Sequence, residues 1–167
     1  MGIDRDFPRA FAKSQDAAYG GLPDTGVVFV SVADRDKRSV ILPVLRLMQL
    51  GFTIWATEGT AEVLARYGIP ARVVRKYFEG SAVVPGAERS IVDLINDGQV
   101  DVVINTPSGR TARADGFEIR TATVAADKPL FTTIAQVGAA VASLESAGEP
   151  VSVTSLQDYA LARRAQR

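Results

Sequence analysis

Neither cysteine nor histidine occurs in the 167 residues. Without cysteine there is no disulfide and no thiolate nucleophile, a composition that suits a reducing interior. Without histidine the commonest acid–base catalyst near neutral pH is missing, and so is the commonest zinc ligand. Any chemistry is left to carboxylates and lysines, and the residues assign no catalytic group and no metal-ligand set. An excess of either charge is lacking as well: 19 Lys and Arg balance 19 Asp and Glu. No global field therefore draws the chain to nucleic acid or anionic lipid, and an anion must be held by a local cluster of donors. No basic stripe interleaved with aromatics is present, so no nucleic-acid partner is expected. No apolar run approaches the roughly 20 residues that span a bilayer, and the amino terminus has no apolar signal core. No membrane partner is expected, and the location expected is cytoplasmic.

What is present is a chain with 47% hydrophobic side chains, enough for one buried core. Residues 1–25 read as a helical arm, with Phe7 and Phe11 one turn apart, closed by Gly20-Gly21-Leu22-Pro23. From Val27 onward, short β-branched runs alternate with longer helical stretches, which predicts an α/β sandwich in three layers around a mainly parallel five-stranded sheet over residues 26–150. The expected strands are Val27–Val32, Phe52–Ala56, Ala71–Val74, Val100–Asn105 and Pro129–Thr132. A helix is expected over Asp36–Leu50, kinked by the internal Pro43 and stopped at Gly51. Others are expected at Thr60–Tyr67, at Glu88–Asn96 before Gly98, and at Val137–Ser146 before Gly148. Residues 151–167 read as a short strand and a basic closing helix whose arginines complement the helix dipole.

A parallel sheet collects the carboxyl ends of its strands along one rim, where open α/β folds bind ligands. That rim should carry Ser31, Thr57, Thr60, Lys76, Asn105, Thr106, Thr132 and Thr133, with Lys37 reaching it from the first helix. The stretch Thr57-Glu58-Gly59-Thr60 puts two hydroxyls and free backbone N–H groups at a helix start, with Gly59 allowing close approach. With Lys37 and Lys76 this suffices for one phosphate group, and the P-loop needed for a nucleoside triphosphate is absent. A helix cap by Thr57 or Thr60 is the alternative reading of the same four residues.

The stretches VFVSVADRDK, FTIWATEGTAEVLARYGI, RKYFEG, DVVINTPSG and FTTIAQVGAAVASL resemble, in order and spacing, the carboxy-terminal allosteric domain of the carbamoyl-phosphate synthetase large subunit. That domain has the methylglyoxal-synthase-like fold. The resemblance runs from Val27 to about Leu144, and FPRAFAKSQDAA is similar to the end of the preceding synthetase region. It implies that the chain is a piece of a longer subunit and that its site is regulatory. A nucleoside monophosphate, UMP or IMP, is implied to place its phosphate on Lys37, Thr57, Thr60 and Lys76 and its ribose near Asn105, with Ser31 alongside. Ornithine is implied at the junction with the preceding domain, near Thr132. Other implied partners are the rest of the large subunit and the glutaminase small subunit. ATP and Mg or Mn serve the parent enzyme, and no cofactor is implied in this fragment.

Two departures qualify the transfer. Pro107 stands where some members carry a hydroxyl that touches the ribose, and the loop after Glu79-Gly80 holds the insertion Ser81–Ala87 without the usual Arg-Pro pair. The insertion reads either as a lid or as a plain surface loop. Methylglyoxal synthase, acting on dihydroxyacetone phosphate, is the enzymatic alternative. Glu88 lies where that enzyme has its catalytic aspartate, but the absent histidines and the longer side chain count against turnover. The relative that closes the purine ring lacks its lysine- and histidine-bearing motif here. Phe7 and Phe11 of the arm offer a surface for self-association of the fragment.

Overall fold

Short β-branched runs form strands β1 (Gly26–Ser31), β2 (Phe52–Ala56), β3 (Arg72–Val73), β4 (Val102–Asn105) and β5 (Leu130–Phe131) in a computed structural model that describes residues 1–75, 89–106, 111–147 and 153–165. They pair in the order β3-β2-β1-β4-β5, every pair parallel. The helices are α1 (Phe7–Tyr19), α2 (Ile41–Gln49), α3 (Glu58–Arg66), α4 (Ile91–Asn96), α5 (Thr111–Ala125), α6 (Ile134–Glu145) and α7 (Leu156–Ala165). The fold is the expected three-layer α/β sandwich.

The central strands explain why the sheet is so legible. Val28, Phe29 and Val30 of β1 and Val103 and Ile104 of β4 have no exposed surface, because a parallel sheet is covered on both faces. Alternate side chains divide between two cores. Val28 and Val30 pack with Val44 and Leu47 of α2, Ala61 and Leu64 of α3, and Val137 and Ala140 of α6. Phe29 packs on the other side with Trp55, Leu94 and Ile95 of α4, and Ile119 of α5. Steps from β1 to β2 to β3 thus carry their helices on one face, and the steps through β4 to β5 carry theirs on the other. Right-handed crossovers enforce this division. α1 lies over the first face through Phe11, whose ring centroid is 6.5 Å from that of Phe131.

Several expected boundaries move. The edge strands β3 and β5 are two residues each, shorter than their apolar runs, and short edges resist pairing with other chains. α2 starts at Ile41 instead of Asp36, since Asp34–Asp36 forms a separate 3-10 turn. Pro43 is therefore the third residue of its helix, where a backbone donor has no partner inside the helix, and it removes no bond from the ladder. α6 starts at Ile134, ahead of the expected Val137, because Thr133 caps it in a reciprocal box with Gln136. α4 starts at Ile91 behind a matching box of Ser90 and Asp93. No strand precedes α7 within residues 153–155.

α5 was not foreseen as an element. Over residues 116–125 its buried positions are Gly116, Ile119, Ala122 and Thr123, a stripe too small and polar to register as apolar periodicity. The Thr123 hydroxyl donates to the Ile119 carbonyl at 2.6 Å, which satisfies it inside the core. Lys76, Glu79, Gly80, the insertion Ser81–Ala87, Glu88, Pro107, Gly148 and the expected strand residues Val151 and Ser152 lie outside the described residues. Among the described residues, no helix is long and apolar enough to cross a membrane.

Candidate anion-binding cleft

β2 delivers the chain into α3 with Thr57 in extended conformation, φ −67° and ψ 152°, at the N-cap position. The Thr57 carbonyl accepts the N–H of Thr60 at 2.9 Å and of Ala61 at 2.8 Å, so the helical ladder starts there. Glu58 and Gly59 occupy the first two helical positions, and N–H groups there have no partner within a helix. Capping side chains commonly serve such donors. Asp6, Ser90 and Thr133 accept the N–H of the third helical position in α1, α4 and α6. Thr57 does not: its hydroxyl makes no cap bond and donates to the Thr60 hydroxyl at 3.2 Å instead. The cap reading of these threonines thus holds for the Thr57 backbone and fails for its side chain.

Lys37 arrives from the opposite wall. β1 ends at Ser31, and the turn Asp34–Asp36 brings Lys37 over the start of α3. A Cβ added to Gly59 would stand 3.2 Å from Lys37 Nζ, so only glycine leaves the ammonium its full room against the first turn. Lys37 Nζ also pairs with Asp34 Oδ1 at 2.8 Å. The third wall is the end of β3, with Val73, Val74 and Arg75. Together these walls enclose a cleft of about 490 Å³. Its described lining holds two cationic side chains, Lys37 and Arg75, and two carboxylates, Asp34 and Glu58. Helix-start amides, two hydroxyls and an ammonium from separate loops are a donor set of the kind that suits an oxyanion.

The predicted rim residues divide. Lys37, Thr57, Gly59 and Thr60 line the cleft together. Ser31, Asn105 and Thr106 are buried at the point where strand order reverses, next to one another across the β1–β4 register. There they bond to the fold itself. The Thr106 hydroxyl accepts the Ala33 N–H at 3.0 Å, the Thr106 N–H donates to the Ser31 carbonyl at 3.1 Å, and Asn105 Nδ2 reaches the same carbonyl at 3.5 Å. Asn105 Oδ1 accepts from Arg120 at 3.1 Å. Gly116 makes that arrangement possible, because its Cβ would stand 2.4 Å from the Arg120 guanidinium and 3.0 Å from Asn105 Oδ1. Thr132 is half-buried past β5, with its N–H 2.9 Å from Gln136 Oε1, the group that also serves the α6 cap.

Three members of this region escaped sequence reading. Asp34 stands three residues before Lys37, a spacing that a turn makes into a contact. Arg75 continues the basic run that ends at Lys76. Arg120 sits on a helix whose pattern is faint. A second cavity, about 190 Å³, lies between α1 and α6, but its Lys13 is already paired with Asp4 at 2.7 Å. That contact holds the Asp4 carboxyl below its ordinary range, chiefly through the Lys13 hydrogen bond and then the Arg5 N–H. Of these two, the larger cleft carries the convergent anion donors.

Residues 40–132 match the family described as MGS-like domain. The chain is also similar, along its whole length, to proteins named carbamoyl phosphate synthase large chain. It is 73% identical over 167 residues to the one from Clavibacter sepedonicus, covering 100% of this chain and 15% of that protein. It is 59% identical over 167 residues to the one from Beutenbergia cavernae, covering 99% and 15%. It is 56% identical over 162 residues to the one from Mycobacterium tuberculosis H37Rv, covering 95% and 14%. The chain thus spans about 15% of the length of the curated relatives it matches. A parallel five-stranded sheet in the order β3-β2-β1-β4-β5, and a family match over more than half of the residues, agree in one assignment: the chain belongs to the MGS-like family.

Proposed function

We propose that this chain is the regulatory domain of a carbamoyl phosphate synthase large chain and that its cleft takes the phosphate of a nucleoside monophosphate, UMP or IMP. The observation that carries the reading is the uncapped start of α3, with Lys37 Nζ over Gly59 and the paired hydroxyls of Thr57 and Thr60. The similarity of the chain, along its own length, to proteins of that name supports the parent assignment. Lys76, next in sequence to Arg75, adds a further cation in this reading. Asn105 and Ser31 take the ribose side, with Thr106 holding the rim in place. Ornithine is assigned to a surface shared with the rest of the large subunit, near Thr132. The whole enzyme makes carbamoyl phosphate with ATP, Mg or Mn and a glutaminase small subunit in the cytoplasm, and the fragment itself is non-catalytic.

A domain of this kind acts by binding its effector more tightly in one conformation of the whole subunit than in another, a coupling of typically about 1–3 kcal/mol. The phosphate-binding groups come from the ends of β1, β2 and β3, so the fragment should retain nucleotide binding. UMP should then raise its melting temperature by the linkage RT ln(1 + [L]/Kd). Lys37→Ala should abolish most of that rise. Arg46→Ala, which breaks an ion pair with Glu145 between α2 and α6, should lower the starting melting temperature and leave the increment intact. Equal increments in all three proteins would remove the cleft as the nucleotide site.

A further inference from the structure

We propose that Asp34 is an internal competitor for the anion and sets the affinity of the cleft. The inference rests on the reading of the cleft as a phosphate site. An ammonium over a helix amino end is repelled by the positive end of the dipole, so Lys37 at the start of α3 needs a negative partner. The Asp34 carboxylate supplies it at 2.8 Å. The two side chains differ sharply in exposure, 25% for Lys37 and 93% for Asp34. Lys37 is the more buried member, beside Gly59, and the carboxylate is on the solvent side of the pair. An arriving phosphate takes over the ammonium and the first-turn amides together. Its charge then repels the carboxylate, which departs without uncovering core surface. Binding is therefore an exchange of one anion for another at Lys37, and each ligand must outcompete Asp34. The carboxylate also keeps the ammonium in place before the ligand arrives.

The test titrates inorganic phosphate and UMP, by calorimetry, into the 167-residue chain and its Asp34→Asn and Asp34→Glu variants. In Asp34→Asn, both ligands should bind on the order of threefold more tightly at low ionic strength, the size expected for losing one exposed charge pair. The gain should shrink toward unity as salt is raised, because the competing charge is screened. Asp34→Glu should return affinity to near the starting value. UMP binding that is equal or weaker in Asp34→Asn overturns the competitor role and leaves the cleft assignment standing. No UMP binding to any of the three proteins overturns both.

Discussion

Thr57 and Thr60 hold their hydroxyl oxygens 3.2 Å apart at the amino end of α3, both side chains buried and neither used to cap the helix. Sequence places a threonine where a cap belongs, and the fold turns its hydroxyl to a neighbouring hydroxyl instead. Glu58 and Gly59, whose N–H groups have no partner within the helix, line a cleft that Lys37 also lines. The third-position N–H of α3 goes to the Thr57 carbonyl, where α4 and α6 use a capping side chain.

That contrast separates two substitutions. Thr133→Ala removes a working cap box and should cost about 1 kcal/mol of stability. Its UMP increment should stay unchanged. Thr60→Val keeps the buried volume but removes a hydroxyl from the cleft and the partner of the Thr57 hydroxyl, so it should lower stability by about 1 kcal/mol as well and, unlike Thr133→Ala, bind UMP markedly more weakly. Chemical denaturation for the first quantity and calorimetry for the second check the pair.

Gly59→Ala sets helix propensity against site geometry. Alanine is favoured over glycine within a helix by about 1 kcal/mol. The new methyl would crowd Lys37 Nζ at 3.2 Å and the anion above it. The variant should be as stable as the parent, or more so, and should lose nucleotide affinity. Retained affinity would show that the ligand does not approach α3 at its first turn.

The chain should not convert dihydroxyacetone phosphate to methylglyoxal. It has no histidine at all, and a glutamate at position 88 lengthens the side chain by one methylene relative to an aspartate. Misplacement on that scale costs orders of magnitude in rate. A colorimetric assay for methylglyoxal checks this, and turnover above background would displace the regulatory reading.

The arm gives a fourth test. Phe11 packs under α1 against the first core and stands 6.5 Å from Phe131, whereas Phe7 is 65% exposed. Phe11→Ala should therefore destabilise the fold by about 2 kcal/mol, below the range for a fully buried phenylalanine. Phe7→Ala should have little effect on stability. If the exposed ring drives self-association, Phe7→Ala should also lower the sedimenting mass at high concentration.

How much of this was legible depended on what each residue does. β1 and β4 announce themselves because strands buried on both faces are continuous apolar runs. β3 and β5 were expected in place but longer, because the extent of a two-residue edge strand is set by its neighbour's hydrogen bonds and not by its own composition. α5 hides because Gly116, Ala122 and Thr123 form much of its buried face. In the cleft, Thr57 and Thr60 were readable as hydroxyls after a strand end, Gly59 as the residue that allows close approach, and Lys37 as a cation reaching the rim from the first helix. Asn105 and Thr106 carry the same signature but bond to Arg120, Ser31 and Ala33, partners set by the tertiary fold. Asp34 was invisible because its meaning lies in a 3-10 turn that begins ahead of the helix expected from Asp36.

The most direct measurement is the position of the phosphate in crystals of the chain soaked with UMP. The phosphate oxygens should lie within about 3 Å of Lys37 Nζ and of the Gly59 N–H, with Asp34 turned away from Lys37. Density for the nucleotide in the cavity between α1 and α6, or a phosphate out of reach of the α3 amides, would contradict the account.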